Sequence, residues 1–238
     1  MPETSNLDRR EIIGAGLAIG TALVTSAGPA SAQAPAPQPA GPYAIKPLPF
    51  DPTRIKGMSE KILVSHHDNN YAGAVRRLNA INAQLMTLDW GTAPVFVVNG
   101  LKREELIAAN SMLLHELYFD SLGGGGQAAG ALADAIQRDF GGYQRWQAQF
   151  SAMGKAEGGG SGWVLLAYSP RDKRLINTWA ADHTMTLAGG RLLLGLDMYE
   201  HSYHMDYGAR AGDYVDAFMQ AINWDNAAKL YGQYSRET

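Results

Sequence analysis

No cysteine occurs among the 238 residues of the chain, which excludes disulfide scaffolds, thiolate-ligated zinc or iron–sulfur sites, and cysteine nucleophiles. Positive charge is scarce too. With 20 basic side chains against 23 acidic ones and a formal charge of −3, nothing marks a surface for nucleic acid. The apolar run IIGAGLAIGTALV is too short to span a bilayer comfortably. What is plentiful is apolar residue, at 46%, punctuated by 27 glycines and 11 prolines, as expected of a globular core interrupted by turns. Only 6 histidines are present, and their placement carries most of the chemical information.

Arg9 and Arg10 precede the apolar run, and the small-residue stretch Ala30-Ser31-Ala32 follows it, so residues 1–32 read as an export signal. The paired arginines within NLDRREIIGAG resemble a twin-arginine signal, which implies export of a folded protein to the periplasm. Cleavage after Ala32 would leave 206 residues with a net charge of −2. Residues 33–49, QAPAPQPAGPYAIKPLP, form a Pro/Ala-rich arm that cannot build a core by itself.

Downstream, apolar residues at helical spacing predict a long helix, or two helices meeting near His66–Tyr71, over Met58 to about Leu88. A loop with Asp89, Gly91 and Pro94 separates it from a helix near Arg103–Leu117. GGGG at 123–126 ends that unit, and shorter helices are expected at Ala129–Phe140 and Tyr143–Lys155. After EGGGSG at 157–162 the pattern changes to strands at Trp163–Tyr168, Leu175–Trp179 and Leu192–Leu196, then returns to helix over Met198–Tyr203 and Asp213–Leu230. The fold class is therefore α+β. A helical hairpin domain over 50–156 is followed by an α/β domain over 157–238, whose small antiparallel three-stranded sheet is flanked by helices. Neither glycine run is a phosphate loop, because no lysine and serine or threonine follow in the required pattern.

Asp197 and His201 stand at i and i+4 in LDMYEHSYHMDY, where a helical turn starting at Asp197 would bring them to one face. His66 and His115 lie in otherwise apolar helical segments and could complete a set of three nitrogens and one oxygen. Such a set suits iron, manganese or zinc. Spacing alone does not bring the four together.

The wider motifs add to this. In order, SEKILVSHHDNNYAGAVRRLN, LLHELYF, GSGWVLLAY, LDMYEHSYHMDY and AINW resemble the iron/manganese superoxide dismutase family over Met58 to about Trp224. The resemblance implies one iron or manganese ion per subunit, held by His66, His115, Asp197 and His201, with His67 as runner-up to His66. It implies superoxide as substrate, and a homodimer in which Glu200 reaches the metal-ligand histidine of the partner subunit. It also assigns the aromatic packing around the metal to Phe119, Tyr199 and Trp163.

Several positions depart from the family pattern. The usual active-site histidine four residues after the first ligand is Asn70, and the gateway tyrosine is Ala74, with Tyr71 nearby as a substitute. The tyrosine that meets that histidine across the dimer is His204, so an Asn70–His204 pair could preserve a polar contact. The glutamine that donates to coordinated solvent corresponds to Ser111 in iron-type members and falls within Ala181–His183 in manganese-type members. There His183 is preferred over Asp182, whose added negative charge would alter the metal balance. Tyr71, His183, Asn70 and His204 are thus the candidate catalytic residues. Arg76, Arg77 and Arg191 could draw in the anion. The alternative function is an exported metal-binding protein of the same fold without efficient dismutase activity.

Overall fold

The computed structural model describes residues 41–157 and 160–237, all within one compact unit. The segment read as an export signal, 1–32, and the start of the expected arm, 33–40, lie outside the described residues. Among those described, no helix is long and apolar enough to cross a membrane.

The helical half opens with α1 (Glu60–Ser65), whose first turn is capped by Ser59, its hydroxyl accepting from Ile62 N at 3.2 Å. A π-helical segment, His66–Tyr71, joins α1 to α2 (Ala72–Thr87). This is where two helices were expected to meet. His66, His67 and Tyr71 of this segment are all buried.

α3 (Val95–Asp120) packs on α2 and starts eight residues before the expected Arg103. Pro94 pre-sets the first turn, and its carbonyl accepts from Val97 N at 2.9 Å. Val95 and Phe96 are exposed, so the first turns of α3 carry no core-facing stripe to detect. α4 (Gly130–Phe140) stops at Gly141, which takes the left-handed conformation at φ 78°, and α5 (Tyr143–Ala156) follows.

The sheet consists of β1 (Trp163–Ser169), β2 (Arg174–Ala180) and β3 (Arg191–Asp197), in the order β2-β1-β3 with both pairings antiparallel. Every residue of β1 is buried, because helices pack onto the sheet and both edges of the strand are paired. The register sets Trp163 opposite Ala180 on one side and Asp197 on the other. One end of the sheet thereby presents Trp163 and Asp197 toward α3.

Two expectations need correction. Met198–Tyr203 is not one helix: Asp197 ends β3, a 3-10 turn covers Glu200–Ser202, and α6 is the short His204–Tyr207. Side chains replace the helical bonds here. Asp197 Oδ1 accepts from Tyr199 N at 2.8 Å, and Ser202 Oγ donates to Asp197 O at 2.8 Å. Further on, the single helix expected over Asp213–Leu230 is two, α7 (Ala211–Ala221) and α8 (Trp224–Tyr234). Asn223 breaks it by accepting from Asp225 N at 3.1 Å and donating its own N–H to Ser121 O at 2.7 Å, while buried Ile222 bridges to Leu122. The apolar period runs on through the break, so periodicity could not reveal it.

Candidate metal centre

His66 enters from the first π-helical residue, His115 from α3, Asp197 from the end of β3 and His201 from the 3-10 turn. One ligand atom from each lies within 4.8 Å of all the others. The Nε2 atoms of His66, His201 and His115 stand 3.1, 3.2 and 3.6 Å from the same Asp197 Oδ2. Donors about 2.1 Å from one ion and roughly 90–120° apart are themselves about 3.0–3.6 Å apart. The four atoms therefore have the spacing of a coordination shell. His66, His115 and Asp197 are almost completely buried, and His201 is partly so.

His115 supplies the sharpest test of fit. Its Nδ1–H donates to Ser111 O at 2.6 Å, which leaves Nε2 as a bare lone pair, and that buried atom has no hydrogen-bond partner among the described residues. A nitrogen so oriented is ready for a cation. Electrostatics agree with this geometry. Burial, followed by the charge of His66, brings the His115 imidazole down to about 3, and burial also lowers His66. For Asp197, burial opposes the charge, but His201 and the hydrogen bonds from His201 and His66 outweigh it and hold the carboxyl below its usual range. Neutral imidazoles beside a carboxylate are the protonation states that metal binding requires.

His67 turns away from this set: its Nε2 is 2.7 Å from Lys46 O and its Nδ1 is 2.7 Å from Asp68 Oδ1. The aromatic wall contains the expected residues. Phe119 lies 5.2 Å from the His66 ring, Trp163 meets the His115 ring edge-on at 5.5 Å, and Tyr199 stacks on His201 at 5.3 Å. Tyr118, which the sequence reading missed, lies 5.0 Å from His66, and its hydroxyl is 3.3 Å from that of Tyr214. Its position at i+3 from His115, on the face shared with Phe119, was the available signal.

The candidate catalytic residues separate into groups. His183 stacks on Tyr199 at 4.7 Å, stands 5.9 Å from the His115 ring, and accepts from Trp163 Nε1 through Nδ1 at 3.0 Å. That contact fixes the tautomer and leaves the Nε2–H free to donate. Asp182 is occupied instead with Thr184, accepting from its N and Oγ1 at 2.7 and 2.6 Å. Ser111 stays behind His115 as its backbone acceptor. Tyr71 is buried with its hydroxyl donating to Glu116 at 3.0 Å and accepting from Lys46 N at 3.0 Å, and its ring contacts are with His67 and Phe119. Burial pushes its phenol up to about 12. Asn70 is half-buried and His204 exposed, and the two do not hydrogen-bond to one another within the chain.

Three imidazoles and one carboxylate converging without sulfur define a mononuclear metalloprotein for iron, manganese or a similar ion. Comparison with known proteins makes the class specific. Residues 128–230 match the family model for the C-terminal domain of iron/manganese superoxide dismutases. The chain is 66% identical over 195 residues to an iron superoxide dismutase of Cupriavidus metallidurans, covering 82% of this chain and 99% of the relative. It is also 35% identical over 197 residues to a manganese superoxide dismutase of Haloarcula marismortui, covering 79% and 92%. The chain belongs to the iron/manganese superoxide dismutase family.

Proposed function

We propose that the protein is an enzyme that converts superoxide to dioxygen and hydrogen peroxide with one iron or manganese ion per subunit, held by His66, His115, Asp197 and His201. The observation that carries this reading is the buried, unpartnered His115 Nε2 facing Asp197 Oδ2. When bound, the metal supplies the electron relay, oxidising one superoxide and reducing another. Peroxide also needs two protons, and the chain must provide a route for them. His183, with its Nε2–H free, is the donor we assign beside the ligand set. Tyr71, linked to Glu116, lies on the other side of Phe119 and is assigned the path from solvent. The Asn70–His204 contact is assigned to the dimer, each residue meeting its counterpart across the interface. Arg77 pairs with Glu104 and Arg191 lies 5.7 Å over the Tyr234 ring, so both have structural roles besides any attraction of the anion.

Superoxide consumption by separately reconstituted iron and manganese forms tests the function. At least one form is expected to consume superoxide in proportion to its metal content. Full occupancy without consumption would leave the metal-binding protein of the same fold, a reading that its similarity to catalytic relatives does not favour. His183→Gln should keep metal occupancy while shifting the reduction potential, because it replaces an imidazole donor with an amide. An unchanged potential would remove His183 from the proton route.

Export and assembly belong to the same proposal. The paired arginines and Ala30-Ser31-Ala32 support twin-arginine export to the periplasm, with cleavage after Ala32. Exposed Glu200, at the start of the turn that carries His201, supports a homodimer in which it reaches the metal-ligand histidine of the partner subunit. The halves 50–156 and 157–238 each supply two ligands. Intact mass and sedimentation of the exported protein should give a 206-residue chain in dimers; an uncleaved chain or a monomer would overturn the corresponding part.

A further inference from the structure

The turn that closes α5 carries a carboxyl group for which the reaction above has no use. Glu157 is 9% exposed, and among the described residues neither of its carboxyl oxygens has a hydrogen-bond partner. Ionised, it would bury an acceptor-only group without donors, a cost that is relieved by taking up a proton. Among the described residues, no cation offsets that cost from the elements around it. Lys155, on the same helix, is engaged by Asp216 at 2.7 Å, Asp182 beyond β2 is negative and held by Thr184, and the charge acting from β3 is that of Asp197. Burial first, and the Asp197 charge second, push the Glu157 carboxyl up to about 8.

A neutral carboxylic acid has one O–H to place. Its surroundings offer an acceptor: a Cβ at Gly162 would stand 2.3 Å from Glu157 Oε2 and 2.6 Å from Ala180 O, so both oxygens border the same small space. Only glycine leaves that space open. Ala180 ends β2, and the loop that begins there carries His183 three residues later. Gly162 in turn accepts from Met198 N at 3.0 Å, next to Asp197, and precedes Trp163, the donor to His183. Glu157 therefore sits at the junction from which His183, Trp163 and Asp197 all depart.

We propose that Glu157 is a positioning residue, held as a neutral carboxylic acid whose O–H donates to the Ala180 carbonyl and so fixes the start of the loop that presents His183 to the metal ligands. The inference rests on the assignment of His183 as the donor beside the ligand set. The neutral acid also spares the site a second negative charge behind Asp197.

The test uses the metal-loaded full chain. Infrared difference spectra between the wild type and Glu157→Gln at pH 6 should contain the carbonyl stretch of a hydrogen-bonded protonated carboxylic acid, present in the wild type alone; a carboxylate signal in its place would overturn the proposal. Amide hydrogen exchange over residues 181–185 should accelerate about tenfold in Glu157→Leu, the effect of losing one hydrogen bond. In Glu157→Gln, which keeps a neutral donor, exchange should stay at the wild-type rate. Equal acceleration in both variants, or in neither, also overturns the proposal. The reduction potential should follow the same order, shifted in Leu and retained in Gln. Failure of the His183 assignment would look different: His183→Gln would leave the potential unmoved while the infrared band and the exchange pattern of the Glu157 variants persisted.

Discussion

His115→Ala yields a folded chain that retains almost no metal and shows no metal-dependent superoxide consumption. The reason is geometric. Of the four proposed ligands, His115 has Nε2 presented with no competing partner among the described residues, and its ring is locked by the Ser111 carbonyl on one side and Trp163 on the other. Loss of a residue that merely orients a ligand typically lowers metal affinity 10- to 100-fold, so loss of the ligand itself should cost roughly 100-fold or more. The metal-free fold suffers less. Alanine removes the bond to Ser111 O and opens a cavity beside Phe119 and Trp163, a change of about 1–3 kcal/mol, and α3 itself needs no side chain at that position. Metal analysis and circular dichroism on the same preparation check the result. Occupancy equal to the wild type would sink the ligand assignment, and an unfolded chain would show that His115 is a core residue first.

The four residues that converge at the candidate metal centre could be picked out in the sequence because each lies in an extended motif, and because the apolar helical patterns around His66 and His115 are strong. The first strand was legible from its pattern: Trp163–Tyr168 is a continuous run of apolar and aromatic residues, bounded by EGGGSG and by Ser169-Pro170. Other features depend on interactions that periodicity does not encode. The turn after Asp197 is set by Ser202 and by the Asp197 side chain bonding to nearby backbone, so a pattern that looks helical ends as strand, 3-10 turn and a short helix. Asn223 divides α7 from α8 through a contact to Ser121, a hundred residues away in sequence, and no local rule places that partner. The motif match already chose His66 over His67, and the structure supplies the physical reason. Both are buried, but only one meets Asp197, because the π-helical turn aims the other at Lys46. Glu157 escaped notice because a carboxylate in a glycine-rich turn reads as solvated, and only the close approach of Gly162 and Ala180 reveals its burial.

Acidification should unfold the metal-free protein and release metal from the loaded protein in a single transition. His66, His115 and His183 are all lowered in the fold by burial, His115 to about 3, whereas an unfolded chain titrates its histidines near 6.5. Below about pH 6.5 the unfolded chain therefore binds protons that the folded chain refuses, so stability rises with pH and is lost as pH falls. For each fully displaced histidine the slope approaches about 1.4 kcal/mol per pH unit. His115 contributes over the window from about 6.5 down to about 3. Asp197, whose folded carboxyl is also held low, adds a further loss below its unfolded value of about 3.9. Burial opposes charging of these imidazoles in the fold, so over most of this window their protonation is coupled to unfolding. Near-ultraviolet circular dichroism and released metal, followed together from pH 7 to pH 3, should consequently share one midpoint. Metal loss at a pH where the tertiary signal is intact would mean that ligand histidines take up protons in place, and that the aromatic enclosure of Phe119, Trp163 and Tyr118 is open enough to admit water to them.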